Sequence, residues 1–115
     1  HYPGIFSQII TQLVTNACDH AFSDQKNGHI TLTILKKHHE LELRFKDNGS
    51  GMSKDHVEKA FEPFFTTGRA KGGTGLGLHI VYNLVTLHLS GTIDIQSEPN
   101  HGTTITIHIP LDTIL

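Results

Sequence analysis

Two glycine clusters are the residues of this chain whose types and spacing best suit binding chemistry. The larger cluster holds five of the chain's 11 glycines within residues 68–77 and precedes an apolar helical pattern. The smaller cluster, residues 47–51, contains Gly49 and Gly51. Glycine lets a backbone approach a ligand closely, and a glycine-rich loop that opens a helix leaves N–H groups free for phosphate. Two such clusters predict a nucleotide held at both ends, with its phosphates at one cluster and its base at the other.

Two established phosphate-binding patterns do not fit the larger cluster. A Walker loop requires G-x-x-x-x-G-K-[ST], whereas Lys71 here precedes Gly72 and Gly73. The dinucleotide fingerprint requires a third glycine where this chain has Leu78. Taken alone, the cluster is therefore equally consistent with a flexible surface loop.

Asp47 is the candidate for recognising the base. It follows an alternating strand pattern and precedes the glycines of the smaller cluster. Its carboxylate could accept the exocyclic amino group of adenine, while Gly49 and Gly51 let the ring lie against the backbone and Met52 supplies soft apolar contact. The alternative is an ordinary turn, since Asp and Gly are both common turn residues.

Asn16 is the candidate for binding a metal ion. It falls at the edge of the apolar stripe of the first predicted helix, where it must find partners. It is either a structural amide or an oxygen ligand for Mg²⁺, an ion that takes few protein ligands and completes its shell with phosphates and water. Farther along, residues 61–67 hold three phenylalanines, which suit either core packing or the hinge of a loop that closes over a ligand.

The elements that must position these residues follow from hydrophobic periodicity. Apolar spacing predicts long helices over residues 5–21, after a turn at Pro3-Gly4, and over residues 76–89, which Gly91 ends. Ser53 resembles the N-cap of a short helix between them. Four alternating segments predict half-buried strands, the first two joined as a hairpin. One apolar face per element predicts an α+β, two-layer sandwich, with helices on one face of a mixed, mostly antiparallel sheet.

Composition limits the class of protein. The 115 residues suit one domain, residues 1–115, and a net charge of −2 argues against broad binding to nucleic acid. No apolar run reaches the length of a membrane span, and the single cysteine fits a reducing compartment. The ten histidines are scattered, and the adjacent pair His38-His39 suits a solvated turn better than a metal site.

These motifs together resemble the catalytic domain of bacterial sensor histidine kinases. Asn16, the cluster at 47–51, residues 61–65 and residues 73–78 follow one another as that family's N, G1, F and G2 boxes do. The closing Gly102-Thr103-Thr104 is similar to its last hairpin. The resemblance covers nearly the whole chain, and it implies the Bergerat-type ATP-binding sandwich shared with gyrase-type and heat-shock ATPases.

The resemblance also implies roles for individual residues. It implies Mg²⁺ at Asn16, adenine at Asp47, support of the adenine pocket by Thr103, and a short ATP lid at 66–72. The residues that it implies for nucleotide binding are Asn16, Asp47, Gly49, Gly51, Met52, Phe64, Phe65, Gly73, Thr74, Gly75, Leu76, Gly77, Leu78 and Thr103.

Some positions depart from the family's pattern. Gln12 stands where the hydrolysing relatives and the related serine kinases carry a Glu general base, and an amide cannot take that proton. Asp19 stands where the family often has a phosphate-binding Lys, so we assign that contact to His20. In the lid, Arg69 and Lys71 are the candidates for the γ-phosphate, although either could be a solvated charge.

The resemblance predicts a domain that binds Mg·ATP and phosphorylates a histidine elsewhere. His39-Glu40-Leu41 copies the start of a phosphoacceptor box but enters a strand, so we expect the acceptor upstream, on a dimerisation domain. A response regulator would receive the phosphate in turn. We expect a homodimeric parent protein, either anchored in the inner membrane or not, with this domain in the cytoplasm and in contact with neither membrane nor nucleic acid. The alternatives are a stand-alone serine kinase or ATPase, and a binding module whose site has degenerated.

Overall fold

The computed structural model describes residues 3–18, 28–62 and 77–111, in which helices pack on one face of a four-stranded sheet. In chain order the elements are α1 (Pro3–Asn16), β1 (Ile30–Lys37), β2 (Glu40–Asp47), α2 (Lys54–Lys59), α3 (Gly77–Asn83), a π-helix (Leu84–His88) that continues α3, β3 (Thr92–Ser97) and β4 (Thr103–Pro110). The two-layer α+β sandwich expected from the sequence is confirmed.

The sheet has the order β1-β2-β4-β3, and every pairing among the described strands is antiparallel. The sequence suggested a mixed, mostly antiparallel sheet, and no parallel pair occurs within the described strands. The reason is that β1 with β2 and β3 with β4 form two hairpins, which meet through the antiparallel pair of β2 and β4. This register places Asp47 opposite Thr103, and Thr103 opposite Ser97, so three strand ends converge at one edge.

The hydrophobic core lies between the helices and one face of the sheet. Along β4 the residues alternate strictly between buried and half-buried, which puts Ile105, Ile107 and Ile109 on the core face. Ile9 and Val81 oppose them from the helical layer, and both are completely buried. Full burial of such a side chain contributes about 1.5–3 kcal/mol, so this layer supplies much of the stability.

Strand β1 lies on the predicted face of the sheet but is much more exposed than its pattern suggests. The register sets Leu32 opposite Phe45 and Ile34 opposite Leu43, on the core side. Leu32 is nevertheless 38% exposed and Ile34 is 55% exposed. The expectation of half-burial is therefore wrong for β1, because β1 is an edge strand that the described helices do not cover.

Helix α1 begins earlier than its apolar pattern suggests. Pro3 and Gly4 belong to its first turn and not to a preceding turn. Proline suits this position because its missing N–H would have no helical partner there. The α-helical winding runs to Asn16, and the next two described residues, 17 and 18, continue the helix with π winding. No helix in the described part of the chain is long and apolar enough to cross a membrane.

Helix α3 changes its winding after Asn83. The segment that continues it, Leu84–His88, is a π-helix, in which the N–H of Leu89 donates to the carbonyl of Leu84 at 3.1 Å. The hydroxyl of Thr86 donates to the carbonyl of Tyr82 at 2.8 Å and so competes for an acceptor of the regular helical ladder. The N–H of Gly91 then donates to the carbonyl of Val85 at 2.8 Å, which closes the helix where the sequence predicts.

The opposite face of the sheet carries a buried carboxylate. Glu42 is 4% exposed, and it lies 2.9 Å from Nε2 of His108, 3.1 Å from Nζ of Lys37 and 3.2 Å from Nη2 of Arg44. The hydrogen bond with His108 and then that with Lys37 lower the pKa of Glu42 below its ordinary 4.5, against the opposing effect of burial. Cross-strand charge pairing thus compensates the burial of this carboxylate.

Candidate functional site

The carboxylate of Asp47 is fixed by two backbone N–H groups. Its Oδ1 accepts from the N–H of Gly49 at 2.9 Å and from the N–H of Thr103 at 3.2 Å. The first bond closes a local turn, whereas the second crosses from β2 to β4. The side chain is therefore oriented by both strands, as a recognition group needs to be.

The second oxygen of Asp47 is free to meet a ligand. Oδ2 has no hydrogen bond within the described residues, and no buried side-chain oxygen in those residues lacks a partner. Oδ2 must therefore retain access to solvent, although Asp47 as a whole is only 6% exposed. Burial raises the pKa of Asp47 above its ordinary value of 3.8, and the N–H groups of Gly49 and Thr103 oppose that rise. The outcome is an oriented acceptor in a sheltered position.

The loop after β2 and the turn between β3 and β4 interlock beside Asp47. Gly51 has φ +72° and Gly102 has φ +75°, a region that favours glycine. A Cβ on Gly51 would overlap the carbonyl oxygen of Glu98, and a Cβ on Gly102 would overlap that of Asp47. The N–H of Asn100 also donates to the carbonyl of Ser50 at 2.6 Å. Both glycines are thus required for the close approach of two backbone segments.

Ser97 connects the same two segments through its hydroxyl, a role that the sequence analysis missed. Its Oγ accepts from the N–H of Met52 at 2.8 Å, donates to the carbonyl of Gly102 at 2.8 Å and lies 2.9 Å from Oγ1 of Thr103. Met52 itself is half-buried and packs against the core. The one available signal was a serine at the end of a strand, directly before a turn.

Asn16 and Gln12 lie one turn apart at the end of α1. Both are half-buried, and the amide of Asn16 makes no hydrogen bond to any other residue in the described ranges. The Oε1 of Gln12 would lie 3.3 Å from a Cβ built on Gly77. The structure therefore brings Gln12, at the position of the missing general base, against the first residue of α3, and the described part of the chain supplies no hydrogen-bond partner for the Asn16 amide.

The first residue of the phenylalanine motif is anchored to α3. Nδ1 of His79 lies 3.1 Å from the carbonyl oxygen of Phe61, and Nε2 lies 3.2 Å from Nδ2 of Asn83. Because a carbonyl only accepts, we assign the ring proton to Nδ1, which leaves Nε2 to accept from Asn83. The rings of Phe61 and Tyr82 are 5.5 Å apart between centroids. His79 and Asn83 were also missed in the sequence, since neither stands out by type or spacing.

Several predicted site residues lie outside the described ranges. They are His20, Phe64, Phe65, Arg69, Lys71, Gly73, Thr74, Gly75 and Leu76. Leu78, expected at the nucleotide, is 8% exposed and belongs to the hydrophobic core. Two smaller expectations are confirmed: the hydroxyl of Ser53 caps α2 through the N–H of His56, and His39 lies in the hairpin turn before β2 and not on a helix.

Metal binding in the described part of the chain would have to rely on few protein ligands. Residues 3–18, 28–62 and 77–111 contain no group of three or more His, Cys, Asp or Glu side chains that could hold an ion. An ion such as Mg²⁺, which a bound phosphate chain would mostly coordinate, needs no such group. The unengaged amide oxygen of Asn16 fits a single-ligand role of this kind.

Comparisons with known proteins agree with this geometry. The family model of histidine kinase-, DNA gyrase B- and HSP90-like ATPases matches residues 3–113. The sensor-like histidine kinase SenX3 of Mycolicibacterium smegmatis is 38% identical over 93% of this chain, which spans 28% of that protein. The sensor histidine kinase ZraS of Escherichia coli is 33% identical over 96% of this chain, which spans 22% of it. The chain thus spans about a quarter of the length of these relatives.

A solved structure shows the same fold. The catalytic domain of histidine kinase ThkA superposes with a TM-score of 0.76 at 29% identity, covering 92% of this chain and 66% of that one. The chain therefore belongs to the family of histidine kinase-, DNA gyrase B- and HSP90-like ATPases.

Proposed function

We propose that this chain is the catalytic domain of a sensor histidine kinase, which binds Mg·ATP and donates the γ-phosphoryl group to a histidine on a separate phosphoacceptor domain. The observation that carries the proposal is the environment of Asp47. Two backbone N–H groups hold its Oδ1, which leaves Oδ2 to face the position proposed for the base of a nucleotide. Such an acceptor fits the exocyclic amino group of adenine.

Different residues of the chain would bind the base and the phosphates of the nucleotide. Asp47 and Thr103 would bind the base, and Asn16 would contribute an amide oxygen to Mg²⁺, which supplies charge neutralisation at the phosphates when bound. His20, Arg69 and Lys71 stay candidates for phosphate contacts. The P–O bond to the γ-phosphorus breaks and an N–P bond to the acceptor histidine forms, leaving ADP.

Gln12 supports transfer to a histidine over hydrolysis. A histidine nitrogen brings its own lone pair, whereas water or a serine hydroxyl needs a base to remove its proton. Gln12 cannot act as that base. We infer that the isolated domain binds ATP and turns it over slowly, and that the acceptor lies on a dimerisation domain of the same protein. The phosphate would pass from there to a response regulator.

Two measurements test this proposal. Calorimetric titration of the chain with ATP, with Mg²⁺ and with EDTA, should show binding that Mg²⁺ strengthens. The full-length protein incubated with γ-labelled ATP should acquire label that acid removes and alkali does not, as expected of phosphohistidine. Acid-stable label would point to the serine kinase alternative, and absence of ATP binding would point to the degenerate module. ShkA, a 25% identical protein with a TM-score of 0.76, was crystallised with AMPPNP, which makes AMPPNP a suitable competitor.

A further inference from the structure

The hydroxyl of Ser97 lies at the meeting point of three backbone segments beside the proposed base site. Ser97 ends β3 and stands opposite Thr103 in the sheet register. Its Oγ is within 2.9 Å of three partners that belong to the loop after β2, to the β3–β4 turn and to the first residue of β4.

The directions of these hydrogen bonds follow from counting protons. The N–H of Met52 can only donate to Ser97, and the carbonyl of Gly102 can only accept from it. The single hydroxyl proton of Ser97 is therefore used at Gly102. The contact with Thr103 can then form only if Thr103 donates to Ser97.

This assignment fixes what Thr103 can offer to a ligand. Its one hydroxyl proton points at Ser97, so Oγ1 faces any other partner as an acceptor alone. The N–H of Thr103 is likewise occupied, because it donates to Oδ1 of Asp47. The edge of the sheet thus carries two acceptors, Oδ2 of Asp47 and Oγ1 of Thr103. The Thr103 hydroxyl is an acceptor towards a ligand only because it donates its proton to Ser97.

We propose that Ser97 is a positioning residue for base recognition: its hydroxyl holds the backbone of Met52 and orients the Thr103 hydroxyl as an acceptor, so that the site favours a 6-amino purine over a 6-oxo purine. This inference rests on the proposed function, since it requires a purine nucleotide beside Asp47. It differs from a structural role in that it predicts a change in base preference and not only a change in affinity.

The test compares ATP with inosine triphosphate, which carries a carbonyl in place of the amino group. In Ser97→Ala the Thr103 hydroxyl can turn and donate, so the preference for ATP over inosine triphosphate should fall about tenfold, the effect of one hydrogen bond. A loosened loop alone would weaken both nucleotides equally. Thr92→Val, which removes a hydroxyl at the exposed far end of β3, is the matched control and should leave the ratio unchanged.

Two further variants keep the test decisive if Ser97→Ala folds poorly. Ser97→Thr and Ser97→Val have nearly the same shape, but only the first keeps the hydroxyl, so only Ser97→Val should lose base preference. In a Thr103→Val background, removal of the Ser97 hydroxyl should no longer change the ratio, because the oriented group is gone.

The outcomes separate this inference from the proposed function. A wild-type chain that binds neither nucleotide would refute the proposed function, and this inference with it. Wild-type binding of ATP together with an unchanged ratio in both Ser97→Ala and Ser97→Val would overturn only the role of Ser97. An equal loss of both nucleotides would reduce Ser97 to a structural residue.

Discussion

Replacing Asp47 with asparagine should change which base the site accepts. Oδ1 takes both backbone N–H groups, at 2.9 Å and 3.2 Å, and the amide oxygen of an asparagine can keep both. The amide nitrogen would then replace Oδ2, the oxygen that has no partner among the described residues. The substitution thus exchanges an acceptor for a donor on the ligand side and preserves the support behind it.

The magnitude follows from the loss of one hydrogen bond to a charged acceptor. Such a bond contributes about 1.5–3 kcal/mol, which corresponds to a loss of ATP affinity of about 10- to 150-fold. Inosine triphosphate presents a carbonyl that the new amide can donate to, so its affinity should hold or rise. Calorimetric titration of both proteins with both nucleotides, at one fixed Mg²⁺ concentration, gives the two ratios. Equal weakening of both nucleotides, or no weakening, would refute the assignment of Asp47 to the base.

The raised pKa of Asp47 gives the same variant a pH signature. Binding of an amino group needs the carboxylate, so ATP affinity should fall on acidification, beginning above pH 3.8. The asparagine variant should lack this component, and comparing the two proteins cancels the titration of the nucleotide itself. The folding stability of the unliganded protein changes with pH in the opposite direction to ATP affinity. Because the pKa of Asp47 is raised in the folded state, its contribution to stability is full below pH 3.8 and is lost as the pH rises through the pKa of the folded protein. Hence thermal unfolding should show that the unliganded variant is not less stable than the wild type at neutral pH.

Three other substitutions test separate parts of the structure. Gly102→Ala combines a positive φ of +75° with overlap of a carbonyl oxygen, and urea unfolding should show a loss of about 2–5 kcal/mol, whereas Gly4→Ala, with open space around it, should show none. The wild type should lose stability as the pH falls from 4.5 through the lowered pKa of Glu42, and Glu42→Gln should lack this loss. If the melting temperatures of the two proteins fell equally below pH 4.5, the assignment to Glu42 would be contradicted. Asn16→Ala should abolish the strengthening of ATP binding by Mg²⁺ while leaving metal-free binding intact, and a persistent Mg²⁺ effect in calorimetry would exclude Asn16 as a ligand.

Sequence periodicity predicted which face of each element points to the core better than it predicted how far that face is buried by other elements. Alternation placed Leu32 and Ile34 on the core side of β1, and the register confirms it. Alternation says nothing about which helix lies above a strand, so the exposure of β1 could not be foreseen. The π-helix after Asn83 could not be predicted either, because its apolar residues keep nearly the spacing of an α-helix.

In the candidate site, too, local sequence patterns were informative and contacts between distant residues were not predictable. Asp47 could be proposed from a local motif, a strand-terminal Asp before glycines, and Thr103 from the resemblance to the family's last hairpin. Ser97 could not, because its function depends on hydrogen bonds to Met52, 45 residues away, and to Thr103 across a hairpin. Contacts of that kind arise from strand pairing, and a single sequence does not display them.

Gly51 of the smaller cluster acts differently from what its residue type first suggests. It was expected to let the backbone approach a ligand closely, yet the space beside it is filled by the carbonyl oxygen of Glu98, as the space beside Gly102 is filled by that of Asp47. The immediate effect of these two glycines is to lock two loops together. That lock, with the hydroxyl of Ser97, orders the acceptors before any ligand arrives, which reduces the ordering cost of binding. We therefore expect base selectivity at this end of the proposed site to depend on the rigidity of these intramolecular contacts, and substitutions that loosen them should lower selectivity even where they leave Asp47 in place.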